Sequence, residues 1–97
     1  MRNIQKQDEL NFLYNAILKI ETLEECKKFF DDLCSIQEIN EMSQRILVAK
    51  MLKERNVYSQ ITKETGASTA TISRVNRSLN YGAGGYSLIL DRLMQME

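Results

Sequence analysis

The chain contains no proline, and three of its four glycines lie within residues 82–85. Proline and glycine are the residues that interrupt helices most strongly, so most of the chain is free of helix breakers. Alternation of apolar and polar residues, which marks strands, is absent, whereas apolar residues recur at helical spacing. A chain of 97 residues has room for one domain, and we expect an all-α, multi-helix fold over residues 1–97.

Apolar stripes predict three helical stretches before residue 57. Their expected ranges are residues 6–20, 22–33 and 35–55. Thr22 with Glu25, and Ser35 with Glu38, have the spacing of a capping box, in which a hydroxyl and a carboxylate each accept from a free backbone N–H. Helix propensity dips near Asn40, so a break in the third stretch is expected there.

These stripes are expected to form a core. The apolar face of the third stretch is predicted at Ile36, Ile39, Met42, Ile46, Leu47 and Leu52. A final helix over residues 85–96 shows the same spacing at Tyr86, Ile89, Leu90, Leu93 and Met94. Because so short a chain buries a small share of its surface, helices that one subunit cannot cover favour pairing with a copy. We therefore expect residues 1–56 to act as the dimerisation helices of a homodimer.

The composition argues against most enzyme classes. The chain has no histidine, and its two cysteines, Cys26 and Cys34, lie too far apart along one helix to bridge, so both are expected as free thiols. The chain lacks the residues that a zinc site or a histidine-dependent nucleophile needs, and no arrangement of carboxylates resembles a catalytic pair. We expect no catalytic residue and no metal site. The absence of a long apolar run or a signal-like start favours a cytoplasmic protein.

The formal net charge is zero, but the charges are unevenly distributed. Residues 58–80 carry three Lys/Arg and one Asp/Glu, whereas residues 1–57 carry nine and ten. The middle of the chain is therefore a weakly basic patch, the kind of surface that a phosphate backbone attracts.

Residues 57–80 have the spacing of a helix-turn-helix. Gly66 supplies the left-handed residue that ends the first helix and reverses the chain. Ser68 is placed to cap the second helix by accepting from a free N–H. The apolar anchors between the two helices are expected to be Ile61, Ile72 and Val75.

In such motifs the N-terminal end of the second helix enters the major groove, where small residues permit close approach and hydroxyls reach base edges. Base contacts are expected from Thr69, Ala70 and Ser73. Phosphate contacts are expected from Lys63, Arg74 and Arg77 and from the hydroxyls of Ser59 and Thr71, with Ser68 at the same surface. Tyr58 and Tyr81 flank the segment and are expected to pack.

The sequence Gly-Ala-Ser-Thr-Ala-Thr-Ile-Ser-Arg at residues 66–74 resembles the tryptophan repressor superfamily. Together with residues 77–82, it is most similar to the YerC/YecD-type TrpR-like proteins, and the likeness covers about residues 30–95. The resemblance implies an intertwined, all-helical homodimer that presents two recognition helices to successive major grooves. It also implies a regulator of transcription, with repression as the expected effect.

The resemblance further implies an effector site beside the recognition helix, held in the tryptophan repressor by two arginines. Arg74 matches one of them, the other position falls at Gln44 with Arg45 as its neighbour, and Ser78 matches a ligand-contacting position. Val75 stands where the repressor has glycine. The added bulk and the lost arginine predict that free tryptophan binds weakly or not at all. Another small-molecule corepressor, or none, remains open.

The sequence therefore predicts a double-stranded DNA-binding transcriptional regulator that acts as a homodimer, by occlusion, on a near-palindromic operator. The alternative is a helix-turn-helix used as a protein-interaction module in a larger assembly, which the zero net charge favours.

Overall fold

The computed structural model describes residues 2–95. Met1 and residues 96–97 lie outside the described residues. Residue 96 is the last residue of the predicted final helix. Within residues 2–95 there are helices and turns but no strand, which confirms the all-α prediction. The helices are α1 (Arg2–Ile17), α2 (Leu23–Leu33), α3 (Ile36–Lys53), α4 (Tyr58–Thr65), α5 (Thr69–Tyr81) and α6 (Gly85–Gln95). None of these described helices is both long and apolar enough to span a membrane.

The chain divides into two compact units, here named the N-terminal unit (Met1–Ile36) and the C-terminal unit (Gln37–Glu97). The N-terminal unit holds α1 and α2, and the C-terminal unit holds α4, α5, α6 and all but the first residue of α3.

In the N-terminal unit, α1 begins and ends earlier than the apolar stripe predicts. Its first turn has one apolar residue among three polar ones, so no stripe marks the start. At its end the hydrogen bonds tighten to three-residue spacing, with the Lys19 and Ile20 N–H groups donating to Ala16 O and Ile17 O (both 3.1 Å). The helical pattern in the sequence thus continues past the point where the helix stops.

The start of α2 follows the predicted capping chemistry. Thr22 Oγ1 accepts from Glu25 N (3.1 Å), which confirms the cap. The Glu25 carboxylate accepts in turn from the N–H of Glu21 (3.0 Å), one residue before the position that a capping box assigns. The Thr22 hydroxyl and the Glu25 carboxylate therefore both bond the backbone at the N-terminus of α2.

Among residues 5–36, whose side chains the structure describes, none is buried. Phe12, Leu18 and Leu23 are 79%, 78% and 73% exposed. Cys26 and Cys34 are free, as predicted. The apolar stripes of α1 and α2 are therefore not closed into a core within this unit.

The C-terminal unit does close a core. Its buried residues are Val48, Ala49, Met51, Ile61, Ala67, Ile72, Val75 and Leu90, with Ile46, Leu52, Tyr58 and Tyr86 packed against them. Every helix of the unit contributes, and the three anchors predicted for the helix-turn-helix are all among the buried residues. The motif is thus built into the core of its unit.

Two expectations about α3 are wrong. The helix is continuous from Ile36 to Lys53, with no break at Asn40, because asparagine costs only a few tenths of a kcal/mol in a helix and this one is exposed. The buried face near its end is formed by Val48, Ala49 and Met51 rather than by Leu47. Residues 46–49 are apolar all round the helix, so periodicity alone does not fix which side faces the core.

The end of α3 is held in place by two separate contacts. Arg55 has a left-handed backbone (φ 67°), and the next residue, Asn56, donates both its N–H and its Nδ2 to Met51 O (3.0 and 3.1 Å). Lys53 Nζ lies 3.1 Å from the Asp91 carboxylate, which links α3 to α6. These contacts fix the direction in which the chain leaves α3 toward α4.

Candidate DNA-binding helix-turn-helix

The turn between α4 and α5 has the predicted left-handed residue. Gly66 has φ 75°, and its N–H donates to Thr62 O (2.8 Å), ending α4. Residues that carry a side chain rarely adopt this backbone conformation, which explains glycine at this position. Ala67 follows and is buried, so the turn itself enters the core.

Thr65, a residue that the sequence interpretation missed, organises this turn. Its Oγ1 donates to Ile61 O (2.7 Å) and accepts from Ala67 N (3.0 Å). Its backbone carbonyl accepts from Gln44 Nε2 on α3 (3.2 Å). A threonine directly before the turn glycine was the available sequence signal, since its hydroxyl can bond the backbone on both sides.

The cap of α5 is also confirmed. Ser68 Oγ accepts from Thr71 N and donates to Thr71 Oγ1, both at 3.1 Å. The two hydroxyls therefore hold each other at the helix start, where Thr71 is half-buried. The helix N-terminus, with its partial positive charge, is fixed in an exposed position.

The outward face of α5 has the predicted composition. Thr69, Ala70 and Ser73 are exposed, while Ile72 and Val75 of the same helix are buried. Small side chains thus line one side of the first two turns and apolar anchors line the other. This arrangement lets the helix approach a groove closely without losing its support.

The predicted phosphate-contacting cations are exposed on the same motif. Lys63 lies near the end of α4, and Arg74 and Arg77 lie further along α5. Among the residues that the structure describes, none of the three has a carboxylate within 4.0 Å. Their charges are therefore available to an external anion. Ser59, on the first turn of α4, is also exposed.

Three of the four predicted effector residues lie together. Gln44, Arg45 and Arg74 line one open cavity of about 210 Å³, with Glu41, Thr71 and Val75 completing its wall. Ser78 instead lines a separate apolar cavity of about 490 Å³ with Ile46, Gly82, Ala83, Gly85, Tyr86 and Ile89. Glu41 was missed, although its spacing from Arg45 places both on one face of α3.

The flanking tyrosines differ from each other. Tyr58 is half-buried against the core, as expected. Tyr81 is 87% exposed at the last residue of α5, so the expectation that it packs is wrong. The described residues also contain no group of three or more cysteine, aspartate or glutamate side chains placed to hold a metal ion.

The geometry of α4, the Gly66 turn and α5 defines a helix-turn-helix with an exposed second helix. A family model described as Trp repressor protein matches residues 8–94. The chain is 57% identical over 89 residues to the uncharacterized protein YerC of Bacillus subtilis, an overlap that covers 92% of this chain and 86% of that protein. The chain therefore belongs to the Trp repressor family, whose members are regulatory DNA-binding proteins and not enzymes.

Two solved structures agree with this assignment. A candidate Trp repressor from Staphylococcus aureus is 53% identical with a TM-score of 0.88, covering 97% of this chain and 95% of that one. A TrpR-like protein from Eubacterium eligens is 52% identical with a TM-score of 0.90, covering 98% of each chain. The TrpR-like fold that the sequence predicts is thereby confirmed.

Proposed function

We propose that this protein is a sequence-specific, double-stranded DNA-binding transcriptional repressor that acts as a homodimer on a near-palindromic operator. The observation that carries the proposal is the division of α5 into an exposed polar face and a buried apolar face over the same two turns. A helix supported in this way can lie in the major groove. Family membership supports the same function. Such a protein acts where bacterial chromosomes lie, in the cytoplasm.

Five side chains at the start of α5, four of them exposed and Thr71 half-buried, divide into two roles. Thr69, Ala70 and Ser73 face base edges, where hydroxyls and a methyl-sized side chain discriminate between base pairs. Ser68 and Thr71, whose hydroxyls already hold the helix start, lie at the phosphate backbone and position the helix. The first group determines preference and the second determines register.

The cations supply most of the sequence-independent affinity. Lys63, Arg74 and Arg77 give three phosphate contacts per subunit, hence six in a dimer. Counterion release then predicts a slope of log affinity against log salt of about −5, or a loss of about 10³-fold between 50 and 200 mM salt. Affinity is thus expected to be highly salt-dependent although the net charge is zero.

The dimer is proposed from the N-terminal unit. Several of its large apolar side chains are exposed within one chain, and a second copy would remove them from water. A symmetric dimer also carries two recognition helices, which fit half-sites about one helical turn apart. Occupation of such an operator would block polymerase, which is the proposed route of repression.

The test is selection of bound duplexes from a random pool, followed by affinity measurements on the selected duplex and a scrambled one. Arg77→Ala should weaken binding to both by a similar factor and reduce the salt slope by about two units for the dimer. The matched control is Arg92→Ala, which removes an exposed arginine on α6 and should change neither the affinity nor the salt slope.

Thr69→Val tests readout, because it keeps the shape and removes the hydroxyl. It should change the preferred base pair at one position of each half-site, a discrimination of about 1–3 kcal/mol. Equal affinity for selected and scrambled duplexes would contradict specific recognition. No duplex binding at 50 mM salt, with a protein partner co-purifying, would instead favour the protein-interaction module.

The cavity beside Arg74 is the proposed place for any small effector. Val75 is 3% exposed and fills the side of this cavity next to α5. An indole ring would need that space, so we propose that tryptophan binds weakly or not at all. Calorimetric titration giving a micromolar dissociation constant for tryptophan would overturn this proposal.

A further inference from the structure

One hydrogen bond connects the turn of the helix-turn-helix to α3. Gln44 Nε2 donates to Thr65 O across 21 residues of sequence, at a half-buried site. The other side-chain hydrogen bonds of α4 and α5 span two to four residues. They stabilise each helix or the turn locally, whereas the Gln44 bond relates the turn to a different helix.

The acceptor of this bond, the Thr65 carbonyl, lies where α4 ends. Thr65 is the last residue of α4, so its carbonyl is among those that have no partner within the helix. The same residue bonds Ile61 and Ala67 through its hydroxyl. The residue after Ala67 is Ser68, which caps α5. A continuous set of bonds thus leads from α3 to the exposed start of α5.

The packing beside this bond is incomplete. Gln44 borders the open cavity that separates this part of α3 from Arg74 and Val75 of α5. The fully buried residues of α3, from Val48 onward, lie further along the helix, with Ile46 partly buried against the core. Near the groove-entering end of α5, this directional hydrogen bond therefore adds to the constraint that the buried side chains of Ala67 and Ile72 supply.

We propose that Gln44 is a positioning residue for DNA recognition: by holding Thr65, it sets where the start of α5 stands relative to α3. The inference rests on the proposed function. A shift at the start of α5 moves every base-contacting side chain together, so specific binding depends on this bond more than general affinity does.

The test uses Gln44→Met in the full chain, which keeps the length of the side chain and removes the donor. The control is Gln60→Met, whose amide bonds Glu64 one turn along the same helix (3.0 Å) and does not reach α3. In the free protein, the Ala67 amide should exchange with solvent about three- to tenfold faster in Gln44→Met than in wild type or the control. This readout requires no DNA.

The second readout is the ratio of affinities for the selected and the scrambled duplex. Gln44→Met should lower this ratio by about three- to tenfold with the thermal midpoint within a few degrees of wild type, whereas the control should keep it. Unchanged exchange and an unchanged ratio in Gln44→Met would overturn the proposal. Faster exchange with an unchanged ratio would also overturn it, leaving a structural role only. If wild type binds no duplex, with or without added amino acids, the proposed function fails, and the exchange result still decides whether Gln44 holds the turn.

Discussion

The two units of this chain use similar apolar content in different ways. The C-terminal unit buries Ile61, Ile72 and Leu90 almost completely within one chain. The N-terminal unit has equally clear apolar stripes on α1 and α2 but buries none of the side chains described there. Helical periodicity identifies a face that must be covered, and it does not say which molecule covers it. The recognition motif belongs to the unit that provides its own core.

The largest effect is expected in that core. Ile72→Ala should reduce the free energy of unfolding by about 2–5 kcal/mol, because it leaves a cavity between α5 and its support. Ser73→Ala, the next residue on the exposed face, should change it by less than about 0.5 kcal/mol. Urea denaturation at one fixed protein concentration measures both. Equal losses would mean that the two faces of α5 are not distinct in solution.

The next effect tests the N-terminal unit. Replacing Phe12 and Leu18 together by serine should weaken self-association at least a hundredfold, since each buried apolar side chain contributes about 1.5–3 kcal/mol. The control replaces their exposed polar neighbours Asn11 and Lys19 by serine. Sedimentation equilibrium at several concentrations measures the change. A wild-type protein that stays monomeric at micromolar concentration would show that a second copy does not cover these side chains.

A smaller effect is expected at the junction between α5 and α6. A Cβ at Gly82 would overlap the carbonyl oxygen of Ser78, whereas one at Gly85 would meet nothing within 4 Å. Gly82→Ala should therefore destabilise the protein by about 1–3 kcal/mol, and Gly85→Ala should be neutral or stabilising by up to about 1 kcal/mol. Thermal unfolding of the two variants compares them. A Gly85→Ala variant that loses as much stability as the Gly82→Ala variant would contradict the geometry of this turn.

The smallest effect concerns the left-handed residue at the end of α3. Arg55→Gly should raise the free energy of unfolding by about 0.5 kcal/mol, because glycine adopts φ 67° without the usual strain but loses more chain entropy. Arg55→Ala removes the same side chain and keeps the strain, so it should give no gain. A glycine variant no more stable than the alanine variant would show that this backbone carries no strain.

The features that the sequence predicted well are those that depend on residues close together in the chain. Gly66, Ser68 and the anchors Ile72 and Val75 each follow from a rule that involves only neighbouring residues, and the structure confirms all four. The core face of α3 was misplaced because residues 46–49 are apolar on every side. Periodicity has no preferred direction in such a run.

What the sequence did not reveal depends on contacts between distant positions. Nothing near Gln44 indicates that its amide reaches Thr65 on another helix. Likewise, Arg74 and Ser78 lie one helical turn apart on α5 and yet line different cavities. Both outcomes are set by how α3 and α6 pack on α5, which no single-helix pattern contains.

We propose that the exposed start of α5 contacts DNA while the core of the C-terminal unit supports it. Backbone amide shifts of labelled protein, followed during titration with a duplex selected from a random pool, test this most directly. We expect the largest shifts at residues 68–77 and at Lys63, with smaller shifts at buried Ile61 and Leu90. Large shifts confined to α1 and α2, with residues 68–77 unchanged, would contradict it.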